Sequence, residues 1–166
     1  MALKVFVSYS TQDLSIVEHI SSVIESPRID MFVAQNSVRV GEKLSDRIEE
    51  NLADCDAFLL IWSESAALSP WVGREVAKAH SQGKRIFPLV ISGSELLPGF
   101  IKNLRYADAT SDYATAFVEI RNELDRIERE GNIDNTAWKL FGAAVLSAFA
   151  IAAFGGGGES DQVSTT

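Results

Sequence analysis

The sequence predicts an α/β fold: a five-stranded parallel sheet with helices on both faces, followed by a C-terminal hydrophobic helix. Three observations lead there. Leu3–Ser8 and Ala57–Trp62 are short, nearly continuous apolar runs, the pattern of parallel strands buried on both faces. Stretches of helical period lie between the apolar runs, and strands that alternate with helices imply a parallel sheet covered on each side. Further on, Leu140–Phe154 runs for fifteen residues without a charge, Ser147 being its one polar side chain.

In chain order, Leu3–Ser8 is the first strand. Ser10 is placed to cap the first helix, with Asp13 three residues later closing a capping box. Leu14, Val17, Ile20 and Ile24 follow at helical spacing. Asp30–Ala34 reads as the second strand, and Leu44, Ile48 and Leu52 mark the next helix. Ala57–Trp62 is the third strand. Ser69-Pro70 is a cap followed by proline at the first helical position, a start signal for the helix after it. Arg85–Ile91 is the fourth strand, and Pro88 removes a ladder donor there, which places it near a sheet edge or at a distortion. A fifth strand is expected around Leu104–Tyr106. Tyr113, Phe117, Ile120, Leu124 and Ile127 then define one apolar stripe, with Arg121–Asp125 and Arg126–Glu130 as opposite-charge pairs on the other faces.

The 166 residues accordingly divide into a domain over 1–130, a linker over 131–137 rich in Asn, Asp and Gly, a hydrophobic helix over 138–158 and a polar tail over 159–166. The chain carries 23 acidic and 15 basic side chains, a net charge of −8. Such a balance argues against a nucleic-acid binder, which needs a basic face to neutralise phosphates. One cysteine, Cys55, excludes an intrachain disulfide framework and a cysteine-rich zinc site. Met1–Phe6 enters a strand pattern at once and has no signal-peptide layout, so a reducing, cytoplasmic setting is expected for the domain.

Leu140–Phe154 has two readings. Its fifteen residues span roughly 22 Å as a helix, and with Gly155–Gly158 the nineteen residues reach about 28 Å, close to the approximately 30 Å of a bilayer core. Trp138 and Lys139 stand at its entry, where an interfacial anchor belongs. Apolarity all round the helix argues against docking by one side. The segment therefore either contacts a membrane or joins subunits.

In an open parallel sheet of flavodoxin-like order, ligands sit beyond the carboxyl ends of the strands, between the first and third. The segments delivered there are Ser8-Tyr9-Ser10-Thr11 and Trp62-Ser63-Glu64-Ser65, both rich in hydroxyls. Helix amides after Ser10 favour an anion, although Ser10 as a plain cap explains the residue equally well. A phosphoacceptor receiver of the same architecture is excluded. It needs an acidic pair after the first strand and an aspartate at the end of the third, where Ser-Tyr-Ser and Trp62 stand. On the third helix, Trp71 and Glu75 lie one turn apart, about 40° from each other, beside the apolar stripe of Val72, Val76 and Ala79. Desolvation there would raise the Glu75 pKa and make it reactive. A surface glutamate paired with Lys78 fits the same spacing. Cys55 reads as a small buried residue, His19 and His80 as isolated helix-face histidines, and Glu49-Glu50 as a solvated face.

Val5-Phe6-Val7-Ser8-Tyr9-Ser10, then Asp13, Val40-Gly41, Ser63 and Ser69-Pro70-Trp71-Val72-Gly73-Arg74-Glu75 occur in an order that resembles the Toll/interleukin-1 receptor (TIR) domain, over residues 3–130. The resemblance implies that Asn36–Gly41 is the BB loop, which mediates self-association and overlies the active site. Val40 stands where many members have proline. It further implies a prokaryotic NAD-cleaving member, an NAD+ glycohydrolase or cyclase activated by assembly, with Glu75 as the catalytic carboxylate and NAD+ as substrate. No metal or cofactor is required. Cleavage of the nicotinamide–ribosyl bond passes through an oxocarbenium-like state that a carboxylate stabilises. Trp71 would then form an aromatic wall, Tyr9 or Trp62 would stack on a ring, and Ser8 and Ser10 would bond the dinucleotide. Some members carry arginines after the tyrosine; Ser10 and Thr11 stand there instead, which transfers the phosphate contacts to Arg39 or Lys43. The alternative within the same fold is a non-catalytic adaptor that works by homotypic association, and fold does not choose between them.

Overall fold

In the computed structural model, which describes residues 2–33 and 44–130, five strands form one parallel sheet in the order β2-β1-β3-β4-β5. The strands are β1 (Leu3–Ser8), β2 (Ile29–Val33), β3 (Ala57–Trp62), β4 (Arg85–Val90) and β5 (Ala107–Asp108). Four lie within a residue of their expected bounds. The fifth does not. Leu104 and Tyr106 stay exposed after a short helical turn, and pairing begins only at Ala107, where small buried Ala107 and Ala109 pass beneath the last helix. The Leu-Arg-Tyr pattern suggested a strand, but close packing selected the small residues two positions later.

The alternation of side chains divides the core into two layers. Val5, Val7, Leu59 and Ile61 face α1 (Leu14–Ile24) and the last helix, α6 (Tyr113–Arg129). Phe6, Phe58, Leu60 and Trp62 face the other side, covered by α2 (Leu44–Asp54), α3 (Glu64–Ala67), α4 (Pro70–Ser81) and α5 (Gly99–Lys102). Phe6 lies at the centre of that second layer, its ring 5.5 Å from Phe58 and 5.4 Å from Phe32. Helices on both faces are thus as the strand pattern implied.

Pro88 fits because β5 pairs only with Leu89 and Val90, so β4 has no neighbour on that side as far as the proline. The buried stripe of α6 holds Phe117, Ile120, Leu124 and Ile127, and Asp112 caps the helix by accepting the N–H of Thr115 at 3.2 Å. The expected pairs on its outer faces form, Arg126–Glu130 at 2.8 Å and Arg121–Asp125 at 3.7 Å. Cys55 is buried at the end of α2, and burial pushes its thiol pKa up, which makes it inert as a nucleophile. Lys84 reaches back to the carbonyls of Ala53 and Cys55, at 2.6 and 2.8 Å, and closes that helix end. His19 meets the edge of Phe117 and His80 stacks on Phe100.

The chain divides into two units at Gly131, and the sheet belongs wholly to the first. No helix among the described residues is long and apolar enough to cross a membrane. Leu140–Phe154, the Asn36–Gly41 loop, Arg39 and Lys43 lie outside the described residues.

Candidate active site

At the carboxyl end of β1, Ser8 projects on the same face as Phe6, toward α4. The start of α4 follows from local sequence: Ser69 accepts the N–H of Val72 at 3.3 Å and Pro70 takes the first turn, where no backbone donor is needed. From there Val72, Val76 and Ala79 seat the helix on the sheet and carry Glu75 inward with them. Glu75 is only 8% exposed. The Ser8 hydroxyl donates to its Oε2 at 2.6 Å, a contact between buried groups 67 residues apart in sequence.

Burial lifts the Glu75 pKa above the ordinary glutamate value, while hydrogen bonds from the Ser8 and Trp71 side chains and the nearby charge of Arg74 pull it back in part. No ion pair reaches Glu75 among the described residues. Lys78, the partner that helical spacing offers, instead meets Glu49 on α2 at 3.2 Å. Among the described residues the carboxylate is therefore buried without a cation in contact, an arrangement that costs stability.

Trp71 is 39% exposed, the large aromatic surface beside Glu75 that the helix geometry predicted. The Arg74 guanidinium lies over its ring, 4.8 Å from the ring centre. Arg74 has no carboxylate partner among the ion pairs of the described residues. Arg74 is not among the contacts expected from sequence, since it stands between the more conspicuous Trp71 and Glu75. Its i+3 relation to Trp71 was the signal available.

The other expected contacts are placed differently. Tyr9 packs into the layer beneath α1 and α6, on the side away from Ser8 and Glu75. Trp62 is 4% exposed within the second layer, and its indole N–H donates to the Gly93 carbonyl at 2.9 Å, so its ring fills the core. Ser10 is buried two residues beyond Ser8.

The expected capping box does not form. Ser10 precedes a short 3₁₀ turn, Thr11–Asp13, and its side chain makes no cap bond. Asp13 accepts the Ser63 hydroxyl at 2.6 Å, while Ser63 accepts the N–H of Ala66 at 2.9 Å and so caps α3. Ser65 donates to Gln12 at 2.9 Å across the same gap. The hydroxyl-rich segments after β1 and β3 thus bind each other. No group of three or more His, Cys, Asp or Glu is arranged to hold a metal ion among the described residues.

Comparison with known proteins agrees with this architecture. The family model described as TIR domain matches residues 5–121. The chain is similar in structure to the TIR domain of the Toll-related receptor TRR-2 from Hydra magnipapillata, with a TM-score of 0.64 at 18% identity over 77% of this chain and 99% of that one. It is also similar to a metazoan TIR-STING receptor from C. gigas in complex with 2′,3′-cGAMP, with a TM-score of 0.62 at 21% identity over 74% of this chain and 39% of the receptor. The TIR domains of the activated Roq1 resistosome give a TM-score of 0.59 at 14% identity, covering 74% of this chain and 99% of that one. Among curated proteins, none matches significantly.

Proposed function

The chain belongs to the TIR-domain family, and from that premise we propose that it cleaves NAD+ at the nicotinamide–ribosyl bond, with Glu75 as the catalytic carboxylate. The observation that carries the proposal is Glu75 itself, a buried carboxylate without an ion pair among the described residues, held at the carboxyl end of β1 beside a half-exposed indole. As the C1′–N bond breaks, its electron pair passes to the nicotinamide nitrogen and positive charge grows on the ribose, until water adds to C1′ and gives up a proton, or in a cyclase a nucleophile of the substrate itself adds there. An ionised Glu75 stabilises that charge and accepts hydrogen bonds from ribose hydroxyls. Trp71 supplies a face for a ring, and Arg74 a cation beside it for the diphosphate. Arg39 and Lys43 are further candidates for the phosphate contacts.

Activity depends on assembly in this proposal, with copies meeting through their TIR domains and the Asn36–Gly41 loop, as in an immune effector or signal generator of a prokaryotic cell. The likeness to TIR domains of an activated resistosome supports association between copies. It favours equally the second reading, an adaptor that associates without turnover. Leu140–Phe154 would concentrate the cytoplasmic domain, either at a membrane or by joining subunits.

Clustered, full-length protein mixed with NAD+ should release nicotinamide, and Glu75→Ala should abolish the release. Equal turnover in the variant, or none in the wild type at any degree of clustering, removes the enzymatic reading and leaves the adaptor. Flotation of the full chain with vesicles, against a chain ending at Gly131, decides the role of the apolar segment.

A further inference from the structure

We propose that Ser8 is the positioning residue of Glu75, its hydroxyl holding one carboxylate oxygen so that the side chain presents a fixed orientation to the substrate. The inference rests on the reading of Glu75 as the catalytic carboxylate.

Ser8 is the last residue of β1, 1% exposed, at the end of the innermost part of the sheet. Its strand is fixed on both sides, Val7 pairing with Val33 of β2 and with Leu59 of β3, and Ser8 itself with Leu60. Glutamate has three side-chain torsions, and α4 alone would leave them free to vary. A bond from a doubly paired strand removes that freedom.

The 2.6 Å separation lies in the short range of a hydroxyl bonded to an ionised carboxylate. A hydroxyl has one proton to give, and here it goes to Glu75. That proton is therefore not offered to the dinucleotide, the contact expected of Ser8 from sequence. Ser8 acts through Glu75. It also favours the ionised carboxylate against the burial that disfavours it, so the same bond both orients the group and sets the pH at which it works.

Two measurements on the full chain test this. In protein labelled with ¹³C at glutamate Cδ, the Glu75 resonance is identified by its loss in Glu75→Gln and titrated in wild type, Ser8→Ala, Ser8→Cys and Ser8→Thr. Ser8→Ala and Ser8→Cys, the latter of similar size but a weak donor, should titrate at higher pH than wild type, and Ser8→Thr close to it. In the NAD+ assay, Ser8→Ala should lower kcat roughly ten- to a hundredfold with KM changed less than about twofold, and Ser8→Thr should restore most of it. The acidic limb of the rate profile should move with the titration. An unchanged midpoint in both Ser8→Ala and Ser8→Cys overturns the proposal. So does a raised KM at unchanged kcat, which is the signature of a substrate contact. If the wild type does not cleave NAD+, the enzymatic reading falls and the titration alone decides whether Ser8 governs Glu75.

Discussion

Ser63 donates to the Asp13 carboxylate at 2.6 Å while accepting the N–H of Ala66 at 2.9 Å, so one hydroxyl joins the turn after β1 to the start of α3. Ser63→Ala removes a helix cap and a hydrogen bond to a charged group together, and leaves Asp13 without its partner. The expected loss is about 2 kcal/mol, in line with a cap worth about 1 and a charged hydrogen bond worth slightly more, combined less than additively. Asp13→Asn, which retains an acceptor oxygen, should lose less than half as much. Urea unfolding measures both, and a Ser63→Ala midpoint equal to wild type would show that the segments after β1 and β3 are not tied here.

Gly93 has φ of 64°, and a Cβ built on it would stand 3.1 Å from Glu64 Cγ and 3.2 Å from the Glu64 backbone nitrogen. Its carbonyl also holds the Trp62 indole. Gly83 has nearly the same φ, 66°, but open space around it. Alanine at either position incurs about 1–2 kcal/mol for the left-handed backbone. Only Gly93→Ala also crowds the Glu64 backbone, which must give way slightly to admit the methyl group. Thermal unfolding should therefore rank Gly93→Ala below Gly83→Ala, and Trp62 fluorescence should change in the first variant alone.

Four of the five strands and the helix beginning at Pro70 were legible in the sequence because each depends on local signals: apolar runs, a cap, a proline. For Glu75, helical spacing left two readings open, a carboxylate bordering the core beside Trp71 or a surface pair with Lys78, and its burial agrees with the first. What escaped depended on partners distant in the chain. Asp13 sits at the capping-box distance from Ser10, yet Ser63, fifty residues away, takes its carboxylate. Lys78 sits at ion-pair distance from Glu75 along the helix, yet Glu49 on α2 takes its charge. Trp62 follows the strand's alternation into the core, where an indole N–H finds a carbonyl on another loop. For Asp13 and Lys78 a short-range pairing rule was satisfied on paper and outcompeted by a tertiary contact. The short α3 and α5 gave too few residues for any period to show.

Arg74 lies over the Trp71 ring and bears on Glu75 by its charge. Arg74→Ala removes a positive charge that lowers the Glu75 pKa, so the acidic limb of NAD+ cleavage should move to higher pH. It also removes a cation from beside the proposed diphosphate position. KM for NAD+ should then rise about fivefold, the effect of roughly 1 kcal/mol for an exposed charge contact. Arg74→Lys should recover the pH profile more fully than KM, since lysine restores charge but not the planar fork. Raising the salt concentration should shrink the difference between wild type and Arg74→Ala. Steady-state kinetics against pH and salt measure all three.

Burial raises the Glu75 pKa, and the sign of the stability effect follows from which state holds the proton. Between the unfolded glutamate value, about 4.3, and the raised folded value, the native chain keeps a proton that the unfolded chain has lost. Stability contributed by this group therefore falls as pH rises through that window, and the full cost remains above it. Glu75→Gln cannot ionise, and its amide oxygen can still accept from Ser8. The variant should be more stable than wild type at neutral pH, and its advantage should disappear below about pH 4, where both side chains are neutral. Activity should run the other way, rising in the wild type as Glu75 ionises and absent in the variant. Chemical denaturation of both proteins across pH supplies the test. An advantage that is constant with pH would place the cost in packing instead of charge, and a variant less stable than wild type at neutral pH would mean that the Ser8 and Trp71 bonds outweigh the burial.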